Sequence, residues 1–321
     1  MTAIPLSETA ASAAESFAAA VLVVRPAAFG PNPQTAATNR FQATGGADRT
    51  LPAAARGEFD GLVDALADAG VEVIVAEDTL VPPKPDAVFP NNWFTTHADG
   101  TAVLYPMFAP SRRAERRVEL VNDLNAHYGR MLTAVVDLSG WEQQGFALEG
   151  TGSLVLDRRR RIAYVCRSPR STEAPLAHWA RLMGYRVACF NATDPAGVAI
   201  YHTNVMLALG RGFALLGSAC IVDQDERRQI AAALEADGYK VLKLSWEQIA
   251  GFAANVLQLE GKRGPVIAMS EAARTSLGRE LCTRLERYGE ILAVPIPAIE
   301  HYGGGSVRCM LAEIFLPRSP T

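Results

Sequence analysis

Cys309 is the residue of this chain best suited to act as a nucleophile. It follows Gly303-Gly304-Gly305-Ser306-Val307-Arg308, where three glycines free the backbone for a close approach and Arg308 supplies an adjacent cation. A cysteine attacks as its thiolate, and a neighbouring cation or base favours that form. The other cysteines, at 166, 189, 220 and 282, read as small buried side chains. His202, in Tyr201-His202-Thr203-Asn204, and Glu149, in Leu148-Glu149-Gly150, would complete a set in which a carboxylate orients an imidazole and the imidazole shuttles protons. Nothing local ties the three together. Their spacing does.

Five small polar clusters, each running into an apolar strand, recur along the chain. They are Asn91-Asn92-Trp93, Leu148-Glu149-Gly150, Tyr201 to Asn204, Ala254-Asn255-Val256 and Val307-Arg308-Cys309. The intervals between Asn92, Glu149, His202, Asn255 and Cys309 are 57, 53, 53 and 54 residues. A period of this size marks a repeat fold, here a hairpin, a helix and a further strand per unit. Five units set around an axis bring the starts of five hairpins to one end, where these five side chains can meet.

The elements that must position them are legible. Strands are expected at 71–75, 102–106, 153–156, 162–166, 205–209, 213–217, 255–259, 265–269, 291–295 and 313–317. Tight turns fall at His97–Gly100, Gly210–Gly212 and Gly261–Gly264. Ala-, Leu-, Glu- and Arg-rich helices span Arg112–His127, Glu173–Met183, Gln224–Asp237 and Ser270–Tyr288. Each is followed by a stop glycine, at 129, 184, 238 or 289.

Composition removes several function classes. The 321 residues are 49% hydrophobic and 20% charged with a net charge of −3, which gives a large core and no broad basic field. Nucleic acid is therefore not expected as a partner. No apolar run approaches the ~18 residues of a membrane span, so a membrane is not expected either. An odd number of cysteines without a CxxC pair argues against a disulfide framework and a zinc ribbon. Without HExxH, a phosphate-binding GxxxxGK[ST] or a convincing GxGxxG, the expectation is no metal and no organic cofactor. Residues 1–19 lack a basic secretory start and read as a flexible tail, leaving 20–321 as one catalytic domain in a cytoplasmic protein. A homo-oligomer is left open.

A family resemblance emerges from six segments in order: Asp86-Ala87-Val88-Phe89-Pro90-Asn91-Asn92, Pro110-Ser111-Arg112-Arg113, Leu148-Glu149-Gly150, Arg167-Ser168-Pro169-Arg170-Ser171, His202-Thr203-Asn204 and Gly304-Gly305-Ser306-Val307-Arg308-Cys309. Together, over about Val21 to Pro317, they resemble the guanidino-group-modifying enzymes, or penteins. That group includes dimethylarginine dimethylaminohydrolase, arginine deiminase and the amidinotransferases. The nearest likeness is to the arginine deiminase-related group that hydrolyses citrulline. The resemblance implies an α/β fold, a five-bladed α/β propeller of repeated ββαβ units with pseudo-fivefold symmetry. It implies Cys309 as nucleophile, His202 as general acid and base, and Glu149 as its carboxylate partner. It further implies Arg112 and Arg170 on the substrate α-carboxylate and Asp86 on its α-amino group. The segment Asn39-Arg40-Phe41-Gln42 belongs, on this reading, to a loop covering the site.

The departures bear on the substrate. Dimethylarginine hydrolases resemble this chain but carry an acidic pair where Asn91 and Asn92 stand, and arginine deiminases carry an acid at the position of Asn204. An amide offers both an acceptor and donors, which complements a neutral ureido group rather than a guanidinium. Citrulline is therefore the expected substrate, hydrolysed to ornithine, CO2 and ammonia. An arginine deiminase, a dimethylarginine hydrolase or an amidinotransferase is the alternative, and a non-catalytic macromolecule-binding pentein a further one.

Overall fold

Five three-stranded sheets, built on one plan, hold the fifteen strands found among the described residues. A computed structural model of the chain describes residues 17–43, 45 and 48–319. The expected N-terminal tail thus lies largely outside the described residues. The chain enters through β1 (Ala20–Arg25), passes α1 (Pro33–Ala36) and α2 (Leu51–Asp68), and returns in β2 (Glu72–Glu77), parallel to β1. The next unit is complete in itself. Strand β3 (Phe94–Thr96) turns through Gly100 into antiparallel β4 (Thr101–Leu104), then α3 (Val118–Ala126) carries the chain to β5 (Ala134–Asp137), parallel to β4.

Three more units repeat this order. The second has α4 (Gly150–Ser153) before β6 (Val155–Asp157) and β7 (Ile162–Cys166), then α5 (Glu173–Met183) and β8 (Arg186–Phe190). The third has β9 (Leu207–Gly210), β10 (Phe213–Leu216), α6 (Gln224–Ala236) and β11 (Lys240–Lys243). The fourth, after α7 (Trp246–Ala250), has β12 (Leu257–Gly261), β13 (Gly264–Ser270), α8 (Glu271–Leu285) and β14 (Glu290–Val294). The chain ends with α9 (Pro297–Gly303), α10 (Val307–Met310) and β15 (Ala312–Glu313).

Strand β15 pairs antiparallel with β1, with Val21 opposite Glu313 and Leu22 opposite Ala312. The fifth sheet is therefore shared by both ends of the described chain, which closes the ring. First strands of neighbouring sheets lie side by side: β15 beside β3, β6 beside β9, β9 beside β12. The molecule is the expected five-bladed α/β propeller of ββαβ units.

The helices owe their place to one apolar face. In α2, Leu51, Ala55, Phe59, Leu62 and Leu66 are buried at helical spacing, and Pro52 sits in the first turn where its missing N–H costs nothing. Fully burying one such side chain contributes roughly 1.5–3 kcal/mol. Helix α5 buries Leu176, Trp179 and Met183 and ends at Gly184 in the left-handed conformation (φ 67°), as its stop signal predicts.

Two expected elements are different. The helix at Arg112–His127 breaks into a 3-10 turn, Pro110–Glu115, and α3, because Arg116 and Arg117 take extended ψ values of 85° and 92°. The Arg116 guanidinium reaches back to the Tyr105 carbonyl and Glu142, which pins the backbone there. The strand expected at 313–317 stops at Glu313, since Thr96 holds the chain by bonding the Glu313 carbonyl and the Phe315 N–H.

Candidate active site

Each of the five repeat positions sits just before the first strand of its blade. Asn92 ends the 3-10 turn Pro90–Asn92, Glu149 is the N-cap of α4, and His202 is the N-cap of the 3-10 turn Thr203–Val205. Asn255 precedes β12, and Cys309 lies in α10. All five are buried, and the ring brings them to one end as the spacing requires. Glu149 Oε2 meets His202 Nε2 at 2.8 Å. Cys309 Sγ lies 3.3 Å from Asn255 Nδ2 and 3.6 Å from Asn204 Nδ2, two amides that can donate to sulfur.

The Glu149 carboxylate is fully enclosed and fully used. Its Oε1 accepts from the Phe108 N–H at 2.9 Å, and Arg170 and Arg112 stand 3.6 and 3.8 Å from Oε2. Burial alone would raise its pKa, but Arg170, His202 and Arg112 outweigh that and hold it at about 2. Burial pulls His202 down to about 4 against the opposing pull of Glu149, and Arg170 and Arg112 add to the lowering. The resting imidazole is therefore neutral near pH 7. With Nε2 engaged by the carboxylate, Nδ1 is left to take up and release a proton.

His202 and Cys309 open onto one cavity, shared with Asp86, Asn92, Arg112 and Arg170. No hydrogen bond joins imidazole and thiol among the described residues, so a reacting group has to come between them. The free space is about 10 Å³, room for a single water. The segment 32–42 closes over it: Thr35 and Asn39 face the cavity, and Asn39 Nδ2 donates to the Gly304 carbonyl at 3.1 Å. The loop expected to cover the site is in that place.

The remaining expected residues divide. Asp86 is buried in the cavity wall, where Asn32 and Thr35 bond Oδ2 while Oδ1 has no partner. Burial raises its pKa despite Arg112, Asn32, Arg170 and Thr35. Arg112 is bound by Glu115 through Nε and Nη2, and its Nη1 donates to Asn92 Oδ1 at 2.8 Å. Arg170 donates to Thr38 Oγ1 and the Thr35 carbonyl, at 2.8 and 3.0 Å. Asn91 lies behind Asn92, accepting from its Nδ2 at 3.0 Å and reaching Thr151.

Several supporting residues escaped sequence reasoning. Glu115 holds Arg112, and Tyr201 stacks 4.7 Å from the His202 ring with its hydroxyl on the Gly304 carbonyl at 2.6 Å. Gly152 permits the close fit of α4. A Cβ there would lie 2.5 Å from Asn92 Nδ2 and 2.7 Å from the His202 ring. The Gly150-Thr151-Gly152 run was the only sequence signal for it. Among the described residues no group of three or more His, Cys, Asp or Glu side chains is placed to hold a metal ion. No helix among them is long and apolar enough to cross a membrane.

A propeller carrying a thiol, an imidazole and a carboxylate at equivalent blade positions defines a guanidino-group-modifying enzyme of the pentein superfamily. The family model described as "N,N dimethylarginine dimethylhydrolase, eukaryotic" matches residues 25–316, and the chain belongs to that family. That description names a hydrolase of dimethylarginine. Comparison with curated protein sequences found no match.

Solved structures agree on the fold. The apo structure of ArgZ, an arginine dihydrolase from the ornithine-ammonia cycle in cyanobacteria, superposes with a TM-score of 0.71 at 17% identity, covering 94% of this chain. The chain spans 41% of that protein's length. The N-terminal domain of ArgZ, in a substrate-bound substituted form, gives a TM-score of 0.71 at 18% identity, covering 92% of this chain and 97% of the domain. A dimethylarginine dimethylaminohydrolase adduct with 4-chloro-2-hydroxymethylpyridine gives 0.64 at 15% identity, covering 93% of this chain and 100% of the other.

Proposed function

We propose that the chain hydrolyses the ureido group of free citrulline, giving ornithine, CO2 and ammonia through a carbamoyl-Cys309 intermediate. The observation that carries this reading is the setting of the thiol: Sγ is flanked by the amides of Asn204 and Asn255, and no carboxylate touches it among the described residues. A guanidinium held against these two amides would have no carboxylate among the groups that touch Sγ, and a buried cation left unpaired costs several kcal/mol. A ureido group meets the same amides as both donor and acceptor.

In the first half-reaction, His202 takes the thiol proton, sulfur bonds to the ureido carbon, and the side-chain nitrogen leaves as an amine carrying the proton from His202. In the second, His202 takes a proton from water, the hydroxide oxygen bonds to the carbamoyl carbon, and the C–S bond breaks to restore the thiol. Carbamate leaves and decomposes. Asn92, Asn204 and Asn255 support charge on the ureido oxygen, with Asn91 fixing Asn92.

Asp86 suits the substrate ammonium because its Oδ1 is buried without a partner. Arg170 suits the α-carboxylate: the segment that must shift to admit an amino acid also carries Thr35 and Thr38, its present partners. Arg112, saturated by Glu115 and Asn92, contributes its charge.

A second reading, arginine or dimethylarginine as substrate, draws on the same free Asp86 oxygen, which accepts a guanidinium as well as an ammonium. The family description and the arginine dihydrolase neighbours favour it. Purified protein assayed in parallel on citrulline, arginine and dimethylarginine, beside Cys309→Ser, decides between them. Ornithine and ammonia from citrulline, absent with Cys309→Ser, are the expected result. Citrulline produced from arginine or dimethylarginine, with citrulline itself inert, would overturn the preference for a ureido substrate.

A further inference from the structure

Behind the candidate active site, the propeller forms a second and larger cavity of about 350 Å³ along its axis, open to solvent on one side. It shares no lining residue with the space that holds His202 and Cys309. It runs from the hairpin turn Gly210–Gly212 to the far side of Asn204 and Thr151, and its apolar wall includes Leu207, Val256 and Leu257. Its volume is that of an ordinary small-ligand site.

At one wall of it two guanidiniums face a single carboxylate. Arg308 Nη2 donates to Glu313 Oε2 at 2.9 Å, and Arg158 Nη2 stands 3.9 Å from the same oxygen. All three side chains are only 10% exposed. Arg158 is fixed by stacking 3.9 Å over Phe315 and by a bond from Nη1 to the Thr96 carbonyl. Arg308 is fixed by a bond to the Leu311 carbonyl at 3.0 Å. Two rigid guanidiniums thus share one carboxylate. Of the other charged lining groups, Arg160 lies against two carboxylates, Asp157 and Asp237, at the opposite wall, Arg211 pairs with Glu260, and Arg159 is exposed with no carboxylate partner among the described residues. Burial also works against the charge on Arg308.

We propose that the axial cavity is a second binding site, for a small organic anion that sets a carboxylate between Arg158 and Arg308 and its carbon chain against Leu207 and Leu257. A carboxylate there supplies a second countercharge to the Arg158–Arg308 pair, and the planar guanidinium forks suit its two oxygens. The apolar wall selects an anion with carbon attached over a bare inorganic one. This site is independent of the substrate reading above.

Isothermal titration of succinate into the full chain at fixed ionic strength tests it without turnover. One saturable site is expected, unchanged after alkylation of Cys309, which separates it from any carboxylate grip near Arg170. Arg158→Gln should weaken it about tenfold or more, the scale of one charge-assisted hydrogen bond. If that variant fails to fold, Arg158→Lys, which keeps the charge but loses the fork, should still weaken it several-fold. No saturable binding, binding abolished by Cys309 alkylation, or equal affinity in wild type and the folded variant would each overturn the proposal.

Discussion

Glu149 Oε2 lies 2.8 Å from His202 Nε2, while Glu149 Oε1 accepts from the Phe108 N–H at 2.9 Å. Both oxygens therefore face donors when the imidazole carries its proton on Nε2. In Glu149→Gln one oxygen becomes an NH2 and must oppose one of those donors, so either the imidazole tautomer or the loop at Phe108 is lost. We expect kcat to fall on the order of 10²–10⁴-fold, the usual loss when a catalytic imidazole is left disoriented. Steady-state kinetics with a melting curve checks it. A folded variant retaining a third of its kcat removes Glu149 from the proton-transfer set.

The two buried histidines set how stability responds to acid. His202 is held at about 4 chiefly by burial, and His97 at about 3 by burial with Arg158. In the unfolded chain both protonate near 6.5, so below that pH the unfolded state binds protons the folded state refuses. Stability is then full above about 6.5 and falls as pH drops toward 4, at up to about 1.4 kcal/mol per pH unit for each histidine. Glu149, depressed to about 2, extends the loss below its ordinary 4.5. Chemical denaturation at pH 7, 6 and 5 should show this decline, and His97→Gln should shallow it by about one proton. A flat profile from 7 to 5 contradicts the buried-neutral assignment.

What the sequence disclosed follows from what repeats. Glu149, His202 and Cys309 are brought to one end because each opens a blade, and a ring turns equal spacing into convergence. Asn255 fell on the same spacing, yet its contact with the thiol depends on the way β12 enters its blade. Residues that act across blades left no such trace. Glu115 clamps Arg112 through a 3-10 turn that helical patterning had merged into a longer helix. Thr35 and Thr38 reach Arg170 over a separation of more than 130 residues. The kink at Gly278 (φ 72°) inside α8 was hidden because helical composition continues on both sides.

The amides beside the thiol should control substrate charge. Asn204 Nδ2 lies 3.6 Å from Cys309 Sγ, so Asn204→Asp places a carboxylate where a guanidinium would need one. A hydrogen bond to a charged group contributes roughly 1.5–3 kcal/mol, so the arginine-to-citrulline ratio of kcat/KM should rise about ten- to a hundredfold. Activity on citrulline should fall, because the new charge opposes the thiolate. An unchanged ratio would show that Asn204 does not read the substrate group.

The fit of α4 against the neighbouring blades can be tested with one methyl group. At Gly152 an added Cβ would lie 2.5 Å from Asn92 Nδ2 and 2.7 Å from His202 Nδ1, closer than carbon tolerates, so both side chains must move. Displacements of about 1 Å near reacting groups cost about 10²-fold in rate, and overpacking costs about 1–3 kcal/mol. Gly152→Ala should show both losses. Gly57, exposed on α2 with nothing within 4 Å of its added Cβ, is the control. Gly57→Ala should raise stability by about 0.5–1 kcal/mol and leave kcat unchanged, since alanine is the better residue in a helix interior. If both variants behave alike in melting and kinetics, Gly152 does not hold Asn92 and His202 in register.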